Sequence, residues 1–243
     1  MDNYALFIIL AMIAEIIGTV SGFGSSILFV PIASLFFDFK TVLGITAVFH
    51  VFSNLSKIFL FKKGIDKNIA LKLGIPAVIF VIIGAYLTTI IPTKEIEIIM
   101  NITLIALSVY LLLNTQKQIK RSNANLYWSG VGSGLLAGLI GTGGAIRGLT
   151  LAAFGLPKDI FIATSALIDL GVDASRAVVY VSNGYFSKQY IVLIPALIGV
   201  SLVGSYLGKL ILQQTSEKLF RYIVLALIII TTIVQVSTYF YKN

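Results

Sequence analysis

Cysteine is absent from the chain, which excludes disulfides and thiolate chemistry and leaves the redox character of its compartment open. Charge is scarce as well: 12% of the 243 residues are charged against 58% apolar, and the mean hydropathy is +0.98. Almost every helix-length window therefore prefers hydrocarbon to water, and no room is left for a soluble domain. What charge there is carries an excess of one sign, with a formal net of +8. The basic residues fall in short connections between apolar segments instead of forming one patch, so they read as topology signals, with the lipid bilayer as partner and no nucleic acid. The start, Met1 to Tyr4 running into an apolar stretch, lacks a basic region and a cleavage site and reads as a retained segment.

What is present is written twice. Gly22 to Leu113 returns about 120 residues later as Gly141 to Val234. Gly22-Phe23-Gly24 matches Gly141-Thr142-Gly143, Ser56-Lys57 matches Ser175-Arg176, and Ile75-Pro76-Ala77 matches Ile194-Pro195-Ala196. Gly84 to Leu87 likewise matches Gly204 to Leu207. Apolar segments lie at 5 to 37, 42 to 61, 69 to 91 and 96 to 113, and again at 126 to 155, 160 to 181, 190 to 211 and 219 to 240. The organisation expected is a first transmembrane repeat at 1–113, a basic cytoplasmic linker at 114–125 holding Lys117, Lys120 and Arg121, and a second repeat at 126–243.

The first segment of each half is too long for one simple crossing and is broken by glycines, at Gly22 and Gly24 and at Gly141, Gly143 and Gly144. It is either a long broken helix or a re-entrant hairpin. Loop charges arbitrate. Lys62, Lys63, Lys67 and Lys72 set one loop inside; with hairpins Lys158, Lys209, Lys218 and Arg221 join it, while Lys188 and Lys242 fall outside. The fold class expected is therefore an all-α polytopic membrane protein of two inverted repeats. Each repeat is a glycine-broken re-entrant hairpin plus three transmembrane helices, which leaves both termini outside.

Polar residues inside the apolar segments point to the chemistry. His50, Asn54 and Lys57 share a helix face at i, i+4, i+7; Asp169, Asp173 and Arg176 hold the aligned positions, and Thr46 and Ser165 extend the two stripes. Charges at this depth face protein or a water-filled cavity, so two matched stripes argue for one polar cavity between the repeats. Arg147, whose first-half counterpart is Leu28, lies just past the second glycine break. Helix N-termini at Gly22, Gly24, Ser25, Ser26 and at Gly141, Thr142, Gly143, Gly144 would offer backbone N–H groups to an anion, with Lys57, Arg147, Arg176 and Asn54 beside them. His50, Asp169 and Asp173 are assigned to charge balance or coupling. Glu15, aligned with Gly134, stands as a lone buried carboxyl that could carry a coupling proton or bond a neighbouring helix.

Other readings of the same residues are a cation or metal-ion carrier or channel using His50, Asp169 and Asp173, and an intramembrane hydrolase using Ser25 and His50. The hydrolase lacks a glycine after the serine and an orienting carboxylate in that half. No cofactor, resident metal or ATP-binding motif is expected, and an ion gradient is the energy source the sequence allows. A homodimer is compatible with this reading.

The duplicated glycine breaks, the polar faces ending in Ser56-Lys57 and Ser175-Arg176, the short loops with Gly64 or Gly184, and the Pro-bearing third segments together resemble the sulfite exporter TauE/SafE family from about residue 5 to 240. The resemblance implies a membrane permease for a small sulfur-containing anion such as sulfite or an organosulfonate. The chain departs from the family pattern in having Thr150 where a proline is usual after the second break, and in carrying Arg147.

Overall fold

The structure is a computed structural model that describes residues 4–61, 64–99, 102–103, 106, 122–216 and 219. The linker up to residue 121 and the final apolar segment lie outside the described residues, apart from Leu219. Among those described, every regular element is helical: α1 (Tyr4–Ser21), α2 (Ser26–Ala33), α3 (Phe39–Leu60), α4 (Lys67–Ile90), α5 (opening at 93 and followed to 99), α6 (Asn123–Ile140), α7 (Gly144–Ala153), α8 (Lys158–Ser182) and α9 (Leu193–Gln214). A 3-10 turn, Lys188–Val192, leads into α9. Four of the helices, including α9 with its leading turn, are long and apolar enough to cross a membrane. The protein is a multi-pass membrane protein.

Helix ends are set locally. Asp38, Asp66 and Ser122 accept from the N–H groups of Thr41, Ile69 and Asn125 and so cap α3, α4 and α6. At the two breaks the chain needs a left-handed backbone that only glycine adopts cheaply: Gly22 (φ 71) and Gly24 (φ 85) stop α1, and Gly141 (φ 80) stops α6. The chain then turns back. Tyr4 at the head of α1 stacks on Phe37, just past α2, with ring centroids 6.5 Å apart, and Phe7 packs on Phe29 and Phe36. In the second half Thr150 on α7 donates to Ser129 on α6 at 2.7 Å.

The two halves interlock. α3 and α8 cross the centre antiparallel: Gly44 abuts the Tyr185 carbonyl, Asn54 meets Asp173, and the Asp66 N–H donates to Thr164. On either side the first helix of one half runs parallel to the last described long helix of the other, α1 along α9 and α6 along α4. Outer faces of α1, α4 and α9 expose Ile9, Ile75, Ile79, Ile90, Leu202 and Ile211, an apolar surface suited to lipid. One end of the bundle gathers the basic residues: Lys209 donates to the Leu60 carbonyl at 2.7 Å, Lys158 to the Thr215 carbonyl, and Lys72 to Asn123 at 2.9 Å.

Candidate functional site

The two turns meet at the middle of the molecule. Ser26 and Thr142 hydroxyls lie 3.3 Å apart, and Gly144 and Gly148 lie so close to Phe23 that a Cβ on either would collide with it. The N-terminal ends of α2 and α7 thus come together, and a cavity opens between them and the central pair α3 and α8. Its walls are Gly24, Ser25 and Ser26 from the first turn, Gly141, Gly143, Gly144 and Arg147 from the second, His50, Asn54 and Lys57 from α3, and Asp169, Asp173 and Arg176 from α8. Two expected residues stand aside from it. Gly22 borders a second, smaller void, and Thr142 holds Ser26 without lining the space.

Each cation in the cavity is matched by a carboxylate. Arg147 pairs with Asp169 and donates through Nε to Ser165 at 3.3 Å. Arg176, 1% exposed, spans Asp173 with Nε and a terminal nitrogen, both at 2.7 Å, and sends its other nitrogen to the carbonyls of Ala137 (3.2 Å) and Gly141 (2.7 Å). It therefore also satisfies the Gly141 carbonyl left over where α6 ends, and adds a second donor to the Ala137 carbonyl, which already accepts from the Gly141 N–H. Lys57 does not reach for the surface; it is 4% exposed and pairs with Glu15 at 2.9 Å. Asn54 donates to Asp173 at 2.7 Å, joining the aligned positions of the two repeats. Three buried cations and three buried carboxylates sum to zero, as burial in a low-dielectric interior demands. The free space among them admits about one water molecule.

One sequence reading needs correction. Glu15 is not a lone carboxyl: besides Lys57 it accepts from Thr19 (3.3 Å), Ser25 (2.6 Å), Ser53 (2.7 Å) and Ser205 (2.7 Å). It also lies beside the pair of Ser25 and His50, whose Nε2 is 2.8 Å from the Ser25 hydroxyl. Glu15 binds the serine and not the imidazole, however, so it cannot orient a base as a catalytic triad requires. Nδ1 of His50 and the Thr46 hydroxyl have no partner among the described residues. Nor do three His, Asp or Glu side chains converge there as a metal would need. Ser53, Thr19 and Ser205 were missed in the sequence, although Ser205 facing Ala85, like Glu15 facing Gly134, marked a place where only one copy is polar.

A family model described as Sulfite exporter TauE/SafE matches residues 7–234. The chain belongs to the sulfite exporter TauE/SafE family. No curated protein and no solved structure matches it. A TauE/SafE protein is a permease, so this chain is a membrane transport protein and not an enzyme. For a TauE/SafE permease, a central, charge-balanced cavity between two helix N-termini is the place where cargo chemistry has to be sought.

Proposed function

We propose that the protein is a secondary active transporter moving a small sulfur oxyanion, sulfite or an organosulfonate, across the cytoplasmic membrane in exchange with, or together with, an ion. The observation that carries this reading is the convergence of two helix N-termini and two guanidinium groups on one buried cavity. Asp173 takes two nitrogens of Arg176, and Asp169 one nitrogen of Arg147, positions that a planar or tetrahedral oxyanion would suit. Because the cavity admits only about one water molecule, loading requires the tips at Ser26 and Thr142 to part and at least one ion pair to open. Gly22 and Thr142 then act on the shape of the tips, and His50 with the two aspartates on charge balance.

The architecture that suits this reading is a pair of inverted repeats, 1–113 and 126–243, each a re-entrant hairpin followed by three crossings. The fold-back at each glycine break and the antiparallel crossing of α3 and α8 support it. Reconstitution into proteoliposomes tests the function. Labelled sulfite flux is expected to fall on the order of tenfold or more in Arg147→Ala, since a charge-assisted fork is lost. Unchanged flux in both Arg147→Ala and Arg176→Ala would refute the anion site.

A further inference from the structure

Glu15 is fully buried, and four hydroxyl groups and one ammonium surround it. They come from α1 (Thr19), the turn before α2 (Ser25), α3 (Ser53 and Lys57) and α9 (Ser205). Neutralising a buried carboxylate needs only Lys57. Four hydroxyls in addition form a shell of hard oxygen donors around a single negative charge, the ligand chemistry of a small hard cation. Lys57 Nζ already stands as a cation against two of these oxygens, 2.9 Å from Glu15 Oε1 and 2.7 Å from the Ser53 hydroxyl.

The repeat supplies an independent argument. In the second copy Gly134, Gly138, Gly144 and Val172 stand in place of Glu15, Thr19, Ser25 and Ser53, and in the first copy Ala85 stands in place of Ser205. Every oxygen ligand is missing from the equivalent place, which packs instead as a close glycine contact between α6 and α4. The scaffold does not need the shell, since its twin folds without one.

We propose that the Glu15 shell is the site of the coupling cation, sodium, and that Lys57 is a tethered cation that fills it while the transporter is empty. The proposal rests on the anion reading of the central cavity. Lys57 borders both that cavity and the smaller void beside Thr19 and Gly22, so free space adjoins the residue on more than one side. An oxyanion arriving in the cavity offers the ammonium a second partner. When Lys57 turns to it, Glu15 is left as an unpaired buried charge, and a sodium ion entering the shell restores the balance. One anion and one cation then load together and the interior stays neutral. Each ligand strengthens the other by the same factor.

Binding of 22Na+ to the purified full-length protein, in choline chloride at constant ionic strength, tests this. Saturable binding is expected, with an affinity raised about tenfold by sulfite. Lys57→Met is expected to bind 22Na+ without sulfite, and Ser205→Ala, which removes a single hydroxyl, to lower sodium affinity about tenfold. Sulfite binding with no saturable 22Na+ binding in wild type or Lys57→Met would overturn the proposal and leave the anion site standing, as would proton uptake in place of sodium. If sulfite does not bind at all, the anion reading fails; sodium binding by Lys57→Met would still support the shell, and its absence would overturn that too.

Discussion

Arg147 and Arg176 look equivalent in the chain, each a buried guanidinium beside an aspartate, yet their surroundings differ in kind. Arg147 touches side chains only, Asp169 and Ser165, whereas Arg176 also holds two backbone carbonyls at the end of α6. Lysine keeps the charge at either position but cannot fork. Arg176→Lys is therefore expected to destabilise the detergent-purified protein by roughly 2 kcal/mol, through the Gly141 carbonyl left unsatisfied at the turn. Arg147→Lys should cost distinctly less, and thermal unfolding curves of the two variants compare them directly. The reverse order would contradict the capping role of Arg176. At this scale the two polar stripes were legible, because i, i+4, i+7 spacing fixes a helix face whatever the tertiary fold. The partners were not. Glu15 meets Ser53 and Ser205 across three helices that are distant in sequence, and no local pattern records that meeting.

Between elements, the α4 and α6 contact is set by glycine. A Cβ on Gly138 would run into the Val81 carbonyl and the Ala85 nitrogen, and one on Gly84 into the Leu135 carbonyl, so neither helix can retreat without parting from the other. A Cβ on Gly132 of the same helix would meet only an Ile146 methyl at 3.9 Å, ordinary van der Waals contact. Gly138→Val is accordingly expected to abolish transport in proteoliposomes and to lower the melting temperature by several degrees. Gly132→Ala should retain flux and match or exceed wild-type stability, since alanine is favoured over glycine in a helix by about 0.5–1 kcal/mol. Equal damage from both substitutions would mean that the seam is not the reason. The breaks at Gly22 and Gly141 were readable in advance, since a hydrophobic run too long for one crossing has to bend where glycine allows it. The way the halves interlock was not, because apolar periodicity names a buried face without naming the helix that covers it.

For the whole molecule, side-to-side charge is the main directional cue. Lys72, Lys158 and Lys209 gather at one end of the bundle, where α3 and α9 finish and α6 begins. That end is expected to be cytoplasmic, with both termini on the opposite face. The chain lacks cysteine, so one cysteine added at either terminus can be probed in intact cells with an impermeant maleimide; labelling at both is expected, and protection of both would reverse the orientation. In the sequence this expectation rests on loop charges alone, although Lys158 and Lys209 also bond helix-end carbonyls, a local role that counting cannot see.

The two flanking seams, finally, respond differently to water. Where α6 lies on α4 the contact is small residues against backbone, with nothing for a water molecule to replace. Where α1 lies on α9, Gly204 and Ser205 rest on the Glu15 side chain, and every hydrogen bond made there is one that water can make instead. Hydration entering from the cavity is therefore expected to loosen the α1 side and leave the α4 side shut, a wettable edge against a dry pivot.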